Sequence, residues 1–418
     1  MSNVASSACP YDSSFNPAAP KEIADPFPSW RKIRHETPVF FSPTLDAYVI
    51  TRYDDLCAVL ADDEDFSSSE ILKRFLPNPP EVAAILATGL EASKIGAMVM
   101  LDGPEHSRIR RHTAAAFTAR RMRQLEDEIR TAADELIDAM TRNGPPTEFM
   151  ASFAYPLPLR IILRLLGLRL EDGERLHRWA GQKLALQWGD MELEDHLEAA
   201  RGFVAFQRYV QDVVAERRDR PGDDLISELT RLRFDDDEPL DDVVIVGQVM
   251  GLVNAGHETV TTALTMSLFH LLDERTQWEA LCADPALAGT VIEEGLRFDG
   301  PAKILWRRAV RPTEVAGIAI PAGARVAIVL GSGNRDDAVF DHAEAFEIRS
   351  GPPKQHLAFG RGIHFCIGAN LARLQGRIAF ERLAARLPSL RLGGAHDMAF
   401  ARNVSIRVPL RLDLEWDT

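Results

Sequence analysis

The sequence predicts a mainly α-helical protein with small β-sheets, and three observations carry that prediction. From about residue 106 to 300 apolar residues recur three or four apart, as in Leu125, Ile129, Ala132, Leu136 and Met140, the stripe of a helix packed on a core. A long pattern from about Asp241 to Leu272 is apolar on most sides, as in a helix buried through the middle of a fold. Beyond Pro301 the pattern changes to short strands and turns, EVAGIAIPAG and RVAIVLGSGN.

Taken in order, residues 1 to about 24 read as a flexible lead-in, with neither the basic start nor the apolar centre of a targeting segment. ADPFPSWRKIRHETPVFFSP predicts a short amphipathic helix and then an apolar strand, with AYVITRYDD as its hairpin partner. MELEDHLEAARGFVAFQRYVQDVVAERR is another helical stripe, and one more helix follows Cys366. Residues 25–418 contain no repeat of fixed period and no Gly/Ser or Pro linker, so they are expected to form one domain. The apolar stretch LPLRIILRLLGLRL carries three arginines and falls short of the roughly 20 apolar residues a membrane span needs. A soluble, cytoplasmic protein is expected.

Composition narrows the function classes. Of 418 residues 46% are hydrophobic and 26% charged, enough for a large core and too apolar for a disordered chain. With 48 basic against 62 acidic side chains the net charge is −14, which argues against a nucleic-acid binder working through a globally basic surface. The four cysteines, Cys9, Cys57, Cys282 and Cys366, are too few and too scattered for a disulfide framework, and fit a reducing compartment.

Three motifs carry chemistry. In HLAFGRGIHFCIGANLAR, Gly360, Gly362 and Gly368 let the backbone turn tightly around Cys366. The thiol stands where a helix begins, so a thiolate would meet the positive helix end and serve as a ligand. An isolated cysteine is more often a small buried hydrophobe. A zinc site of His356, His364 and Cys366 lacks a fourth ligand at ordinary spacing. No G-K-[ST] follows, so the loop is no phosphate cradle. In Ala255-Gly256-His257-Glu258-Thr259, the Thr259 hydroxyl can bond the Ala255 carbonyl and open the helix, and the acid beside it suggests proton delivery. A packing glycine beside a partly exposed glutamate is an equal reading of that pentapeptide. In VIEEGLRF, Glu294 and Arg297 share a helical face, a pairing that on most helices is a weak surface bridge.

In this order and spacing the three motifs resemble the cytochrome P450 family of haem-thiolate monooxygenases. LDGPEHSRIRRHTAAAF is similar to its haem-contacting helix, VITRYDDLCAVL to its N-terminal strand and helix, and GSGNRDDAVF to the stretch before its meander. The resemblance spans roughly residues 25 to 415 and implies the P450 fold, with a long distal helix and a cysteine loop enclosing haem b. Cys366 is then the proximal iron ligand, donating electron density that favours O–O cleavage. Phe359, Gly360 and Gly368 shape the ligand loop, and His106, Arg110, Arg307 and His364 hold the haem propionates, with Arg308 a rival to Arg307. Glu258 and Thr259 are the catalytic acid–alcohol pair, and Ala255 and Gly256 open the groove for dioxygen. Glu294 and Arg297 join a buried ion-pair network completed by Arg349, which lies one residue before the usual arginine position.

The same resemblance places the substrate pocket on the loop around Ile71 to Met98, on Met250, Leu252 and Val253, on Lys303, Ile304 and Leu305, and on Val404, Ser405 and Ile406. These residues are mostly apolar, with Lys303 the exception, expected to meet a substrate carboxylate or other acceptor. Residues 106–123 hold six arginines and no acid, and Arg361, Arg373 and Arg377 surround the cysteine loop, a basic face suited to an acidic ferredoxin. The implied reaction is hydroxylation or oxidative dealkylation of a small or medium apolar organic molecule. Dioxygen is the oxidant, and electrons come from a separate ferredoxin and its NAD(P)H-dependent reductase. A peroxide-driven peroxygenase and a non-catalytic haem sensor are the rivals, and the intact Glu258–Thr259 pair counts against both.

Overall fold

A computed structural model describes residues 9–418 except 70, 72–76, 91–97, 116, 189–190, 354 and 395–397. The expected central helix is present as Asp242–Asp273. By length and composition it could cross a membrane. Here it is wrapped by the helices Pro156–Leu166, Leu193–Asp219, Ala288–Asp299 and Ala369–Arg386, and buries Ile245, Val249, Val253, Val260, Leu264 and Leu268 among them. The Leu125–Met140 stripe lies on the helix Ala119–Asn143, with Leu125, Ile129, Ala132 and Met140 in the same core.

The strands are β1 (Val39–Ser42), β2 (Ala47–Ile50), β3 (Phe66–Ser67), β4 (Thr147–Glu148), β5 (Ile304–Ala309), β6 (Thr313–Val315), β7 (Ile318–Ile320), β8 (Arg325–Val329), β9 (Arg391–Leu392) and β10 (Asp413–Glu415). The main sheet runs β1-β2-β8-β5-β3, all neighbours antiparallel except β2 with β8. The predicted hairpin is β1–β2, and EVAGIAIPAG is β6–β7, turned by Ala316 and Gly317 at positive φ.

Residues 9–24 depart from the expected flexible lead-in, whose residues 1–8 lie outside the described residues. The Pro10 carbonyl accepts the Phe41 N–H at 2.9 Å, Phe15 is buried edge-on against Phe40, and Ile23 is buried in the short helix Pro20–Ala24. Two apolar anchors and a free strand edge are enough to fix the segment.

Candidate functional site

A cavity of about 310 Å³ separates the central helix from the Cys366 loop. On the loop side the chain turns back so that the Cys366 N–H donates to the Phe359 carbonyl at 2.9 Å. Gly360 and Gly362 take left-handed φ of 68° and 69°, and a Cβ on Gly362 would meet the Leu60 carbonyl oxygen at 2.4 Å. Only glycine fits a loop pressed so closely on the helix Tyr53–Ala61. Of the four cysteines, Cys366 alone lines the cavity. Burial pushes its thiol pKa up, while the N–H groups of Gly368 and Ala369 and the charges of Arg110 and Arg373 pull it down. The helix end therefore acts in the expected direction but does not prevail, and a bound cation is what would hold the thiolate. Gly368 contributes its N–H to Sγ rather than a wall to the cavity. His356 is drawn away to Glu293 at 3.2 Å, which removes it from the zinc alternative.

His106, Arg110, Arg307 and His364 converge on the same cavity. The two imidazoles lie 4.3 Å apart. Both ring nitrogens of His106 and Nε2 of His364 are buried without a hydrogen-bond partner. Arg110 donates to the Phe365 carbonyl at 2.7 Å and Arg307 to the Trp306 carbonyl at 2.9 Å. The acid nearest His364, Asp102, is 4.0 Å from its Nε2 and accepts instead from the Ser67 hydroxyl and the Ser68 N–H. Burial drives Arg307 down to about 10 and His364 to about 4, with the neighbouring cations adding to the latter. Arg308 donates outward to the Gly323 carbonyl and is no rival. Two arginines and two imidazoles with unused hydrogen-bonding capacity facing a thiol-lined cavity are completed by a ligand bearing carboxylates and a metal. That donor set fits haem.

The opposite wall comes from the central helix, where Gly251, Ala255 and Thr259 share one face at i, i+4 spacing, with Gln248 and Leu252 beside them. The Thr259 hydroxyl donates to the Ala255 carbonyl at 2.7 Å, as the sequence predicts. Ile71, Met98, Val99, Ala302 and Leu305 close the sides. Glu258 projects from the back of the helix. There Tyr155 donates to its Oε1 at 3.3 Å, and Nδ1 of His177 and of His257 lie 3.8 and 3.7 Å from that oxygen. Tyr155 Oη and His177 Nε2 are 2.6 Å apart. Burial raises Glu258 to about 7 and lowers His177 to about 4; burial and the nearby His177 lower His257 to about 3. Tyr155 and His177 had no signal in the sequence, because neither stands at a telling spacing from Glu258.

Several expected positions are corrected. Gly256 does not face the cavity: its missing side chain lets Ile162 approach, and a Cβ there would meet Ile162 Cδ1 at 2.9 Å. Of the nine pocket residues outside the Ile71–Met98 loop, Leu252 and Leu305 line the cavity. Met250 and Val253 are buried in the helical core. Ile304 and Val404 pack with Phe27 and Trp30. Ser405 accepts from the Trp306 indole at 3.0 Å, and Ile406 bridges to Ala302. Lys303 has its ammonium 5.9 Å from the Trp30 ring, among Arg407, Asp299, Asp25 and Glu22, where burial lowers it to about 7. It does not line the cavity. The loop between Ile71 and Met98 falls partly outside the described residues.

Glu294 and Arg297 form the expected buried pair, with two contacts of 2.7 Å. Arg349 is not its third member. It is exposed and bridges to Glu347, while the Arg297 guanidinium reaches the carbonyls of Asn334, His342, Ala343 and Ala345. The basic face is also largely neutralised, since Arg108 and Arg111 pair with Asp237, Arg120 and Arg121 with Asp223, Arg373 with Glu293 and Arg377 with Glu126 and Glu381.

This constellation of cysteine loop, cation cluster and opened helix defines a haem-thiolate oxygenase site, and comparison with known proteins agrees. The family model for cytochrome P450 matches residues 285–386. The chain is 35% identical over 374 residues to a mycinamicin IV hydroxylase/epoxidase of Micromonospora griseorubida, covering 89% of this chain and 90% of the relative. It is 32% identical to a 6-deoxyerythronolide B hydroxylase of Saccharopolyspora erythraea, covering 90% and 93%. The solved structure of cytochrome P450 CREJ with (4-ethylphenyl) dihydrogen phosphate superposes with a TM-score of 0.90 at 33% identity, covering 94% and 98%. The chain belongs to the cytochrome P450 family. It is a monooxygenase whose cofactor is haem with a cysteine thiolate on the iron.

Proposed function

We propose that this monooxygenase uses dioxygen, with electrons from a separate ferredoxin and its NAD(P)H-dependent reductase in the cytoplasm, to hydroxylate or oxidatively dealkylate a small or medium apolar organic molecule. One observation carries the reading: the acid and alcohol are divided across the central helix, Thr259 in the cavity and Glu258 behind it.

Haem, when bound, supplies the oxygen activation. The chain supplies the rest. Cys366 would hold the iron through its thiolate, and His106, Arg110, Arg307 and His364 would hold the carboxylates and so fix the cofactor's orientation. Leu252, Ala255, Leu305, Met98 and Val99 exclude water and position an apolar substrate by shape. Thr259 holds a proton at Oγ1 against the Ala255 carbonyl, from which rotation can present it to the cavity. Glu258, one residue earlier, replenishes it and is oriented by Tyr155. An exposed Arg361, in the loop that carries Cys366, supports docking of an acidic electron donor on that side.

The test is a pair of variants. Wild-type protein should give the reduced, carbon-monoxide-bound absorption of a thiolate-ligated haem, and Cys366→Ala should lose it. With a ferredoxin and reductase, Thr259→Ala should divert oxygen to hydrogen peroxide, with product per NADH falling about tenfold or more. An unchanged yield, or turnover faster with peroxide than with the reductase chain, would replace this reading by the peroxygenase one.

A further inference from the structure

The back face of the central helix carries a cluster that the proposed reaction only partly uses. Nδ1 of His177, on the helix Gly173–Trp188, and Nδ1 of His257 stand 3.8 and 3.7 Å from the same Glu258 oxygen. One ligand atom from each of the three residues lies within 4.8 Å of the others. Ligands about 2.1 Å from a tetrahedral zinc ion stand about 3.4 Å apart, so the two histidine–carboxylate distances need shorten by only a few tenths of an ångström and the third by no more than about 1.4 Å, within reach of side-chain rotation. Two independent features point to a ligand. The His257 ring is fully buried, yet neither of its nitrogens has a hydrogen-bond partner, a costly arrangement that an ion would relieve. His177 is held from behind by Tyr155, 2.6 Å from Nε2, which directs Nδ1 toward Glu258 in the manner of the groups that orient metal-bound histidines.

We propose that His177, His257 and Glu258 form a binding site for a divalent transition-metal ion of the zinc class, distinct from the haem. Two imidazoles and one carboxylate suit zinc, copper or nickel and disfavour magnesium and calcium, which prefer an all-oxygen shell. The half-exposed His177 gives the ion a way in, and three protein ligands leave a fourth position for water. An ion there engages the Glu258 carboxylate, so the site acts as a reversible brake on proton supply to Thr259. The brake rests on the role given to Glu258 above; the site itself does not.

Calorimetric titration of the holoenzyme with Zn²⁺, with bound metal counted after desalting, tests the site without any turnover. One equivalent should be retained, Mg²⁺ should not compete, and the haem spectrum should be unchanged. His177→Ala, at the half-exposed position, should weaken binding at least a hundredfold, and Tyr155→Phe, which keeps all three ligands, about tenfold. Failure to retain zinc, or equal affinity in His177→Ala, overturns the site. Peroxide released per NADH tests the brake. Zn²⁺ should raise it in wild type to the level of metal-free Glu258→Gln and leave His177→Ala unaffected. Zinc that binds without raising peroxide in wild type overturns the brake. If Glu258→Gln itself releases no extra peroxide, the proton role of Glu258 fails, and the binding result stands alone.

Discussion

Two groups of ionisable side chains are set into the interior of this molecule, and they are partnered in opposite ways. Glu294 and Arg297, each 3% exposed, are closed within the protein. Both carboxylate oxygens take guanidinium donors, Glu294 also accepts the Glu347 N–H at 3.0 Å, and the rest of Arg297 reaches four backbone carbonyls. His106 and Arg307 are as deeply buried and Arg110 and His364 partly so, but among the described residues no carboxylate answers them at hydrogen-bond distance. The first cluster ties the helix Ala288–Asp299 to the segment Asn334–Glu347 and is complete without a ligand. The second is a charge imbalance in the protein alone, balanced once a dianionic cofactor arrives. Burial with satisfaction thus identifies scaffold, and burial without it identifies a binding site.

The sharpest way to break this contrast is to open the closed cluster. Glu294→Gln should cost about 3–5 kcal/mol, because a buried guanidinium loses its countercharge. Denaturant unfolding should show the loss in haem-free and haem-bound protein alike. A loss confined to the haem-bound form would put Glu294 in the cofactor site instead.

Glu258 is an intermediate case, a largely buried acid held by a phenol, with two neutral imidazoles close by. Its carboxyl binds a proton more tightly folded, at about 7, than unfolded, near 4.5. The stabilisation from that proton is fully present below about 4.5 and is lost as pH rises through 7. Glu258→Gln should therefore match wild type near pH 4 and exceed it at pH 8 by up to about 3 kcal/mol, as read by thermal unfolding at the two pH values in chelator.

Arg307→Met should separate the haem-free and haem-bound states. Removing a buried cation that has no acidic partner at hydrogen-bond distance should leave the haem-free chain as stable or more stable, by about 1–2 kcal/mol, while haem dissociates faster from the holoprotein. A destabilised haem-free chain would contradict the open-cluster reading. The smallest effect belongs to Arg349→Ala. An exposed bridge to Glu347 predicts a change under about 0.5 kcal/mol and unaltered haem content, whereas a large loss would restore Arg349 to the Glu294 network.

Legibility in the sequence followed the range of the interaction. The central helix and the β1–β2 hairpin rest on periodicity and short spacing and were readable from the residues, whereas the roles of the cysteine loop and of the buried Glu294–Arg297 pair followed from the resemblance carried by the three motifs together. Tyr155, at the start of the helix Pro156–Leu166, and His177, on the helix Gly173–Trp188, reach Glu258 from elsewhere in the chain, a meeting made by tertiary packing alone. The pocket residues failed for a different reason. On β5, Leu305 and Arg307 face the cavity, while Ile304 and Trp306 pack with Phe27 and Trp30, so a shift of one residue exchanges lining for core. Arg349 failed because nothing local to the meander says which arginine will turn inward.

Gly256 carries a consequence for how the enzyme can change. The central helix rests on Ile162 at Gly256, one of its three glycines and the one where an added Cβ would meet that side chain, so the distance between helix and cysteine loop is set partly from outside the active site. Enlarging residue 256, or reshaping residue 162, would shift Ala255 and Thr259 relative to Cys366 without altering any lining side chain. Substrate range in descendants of this sequence can drift through a contact that a survey of active-site residues would overlook.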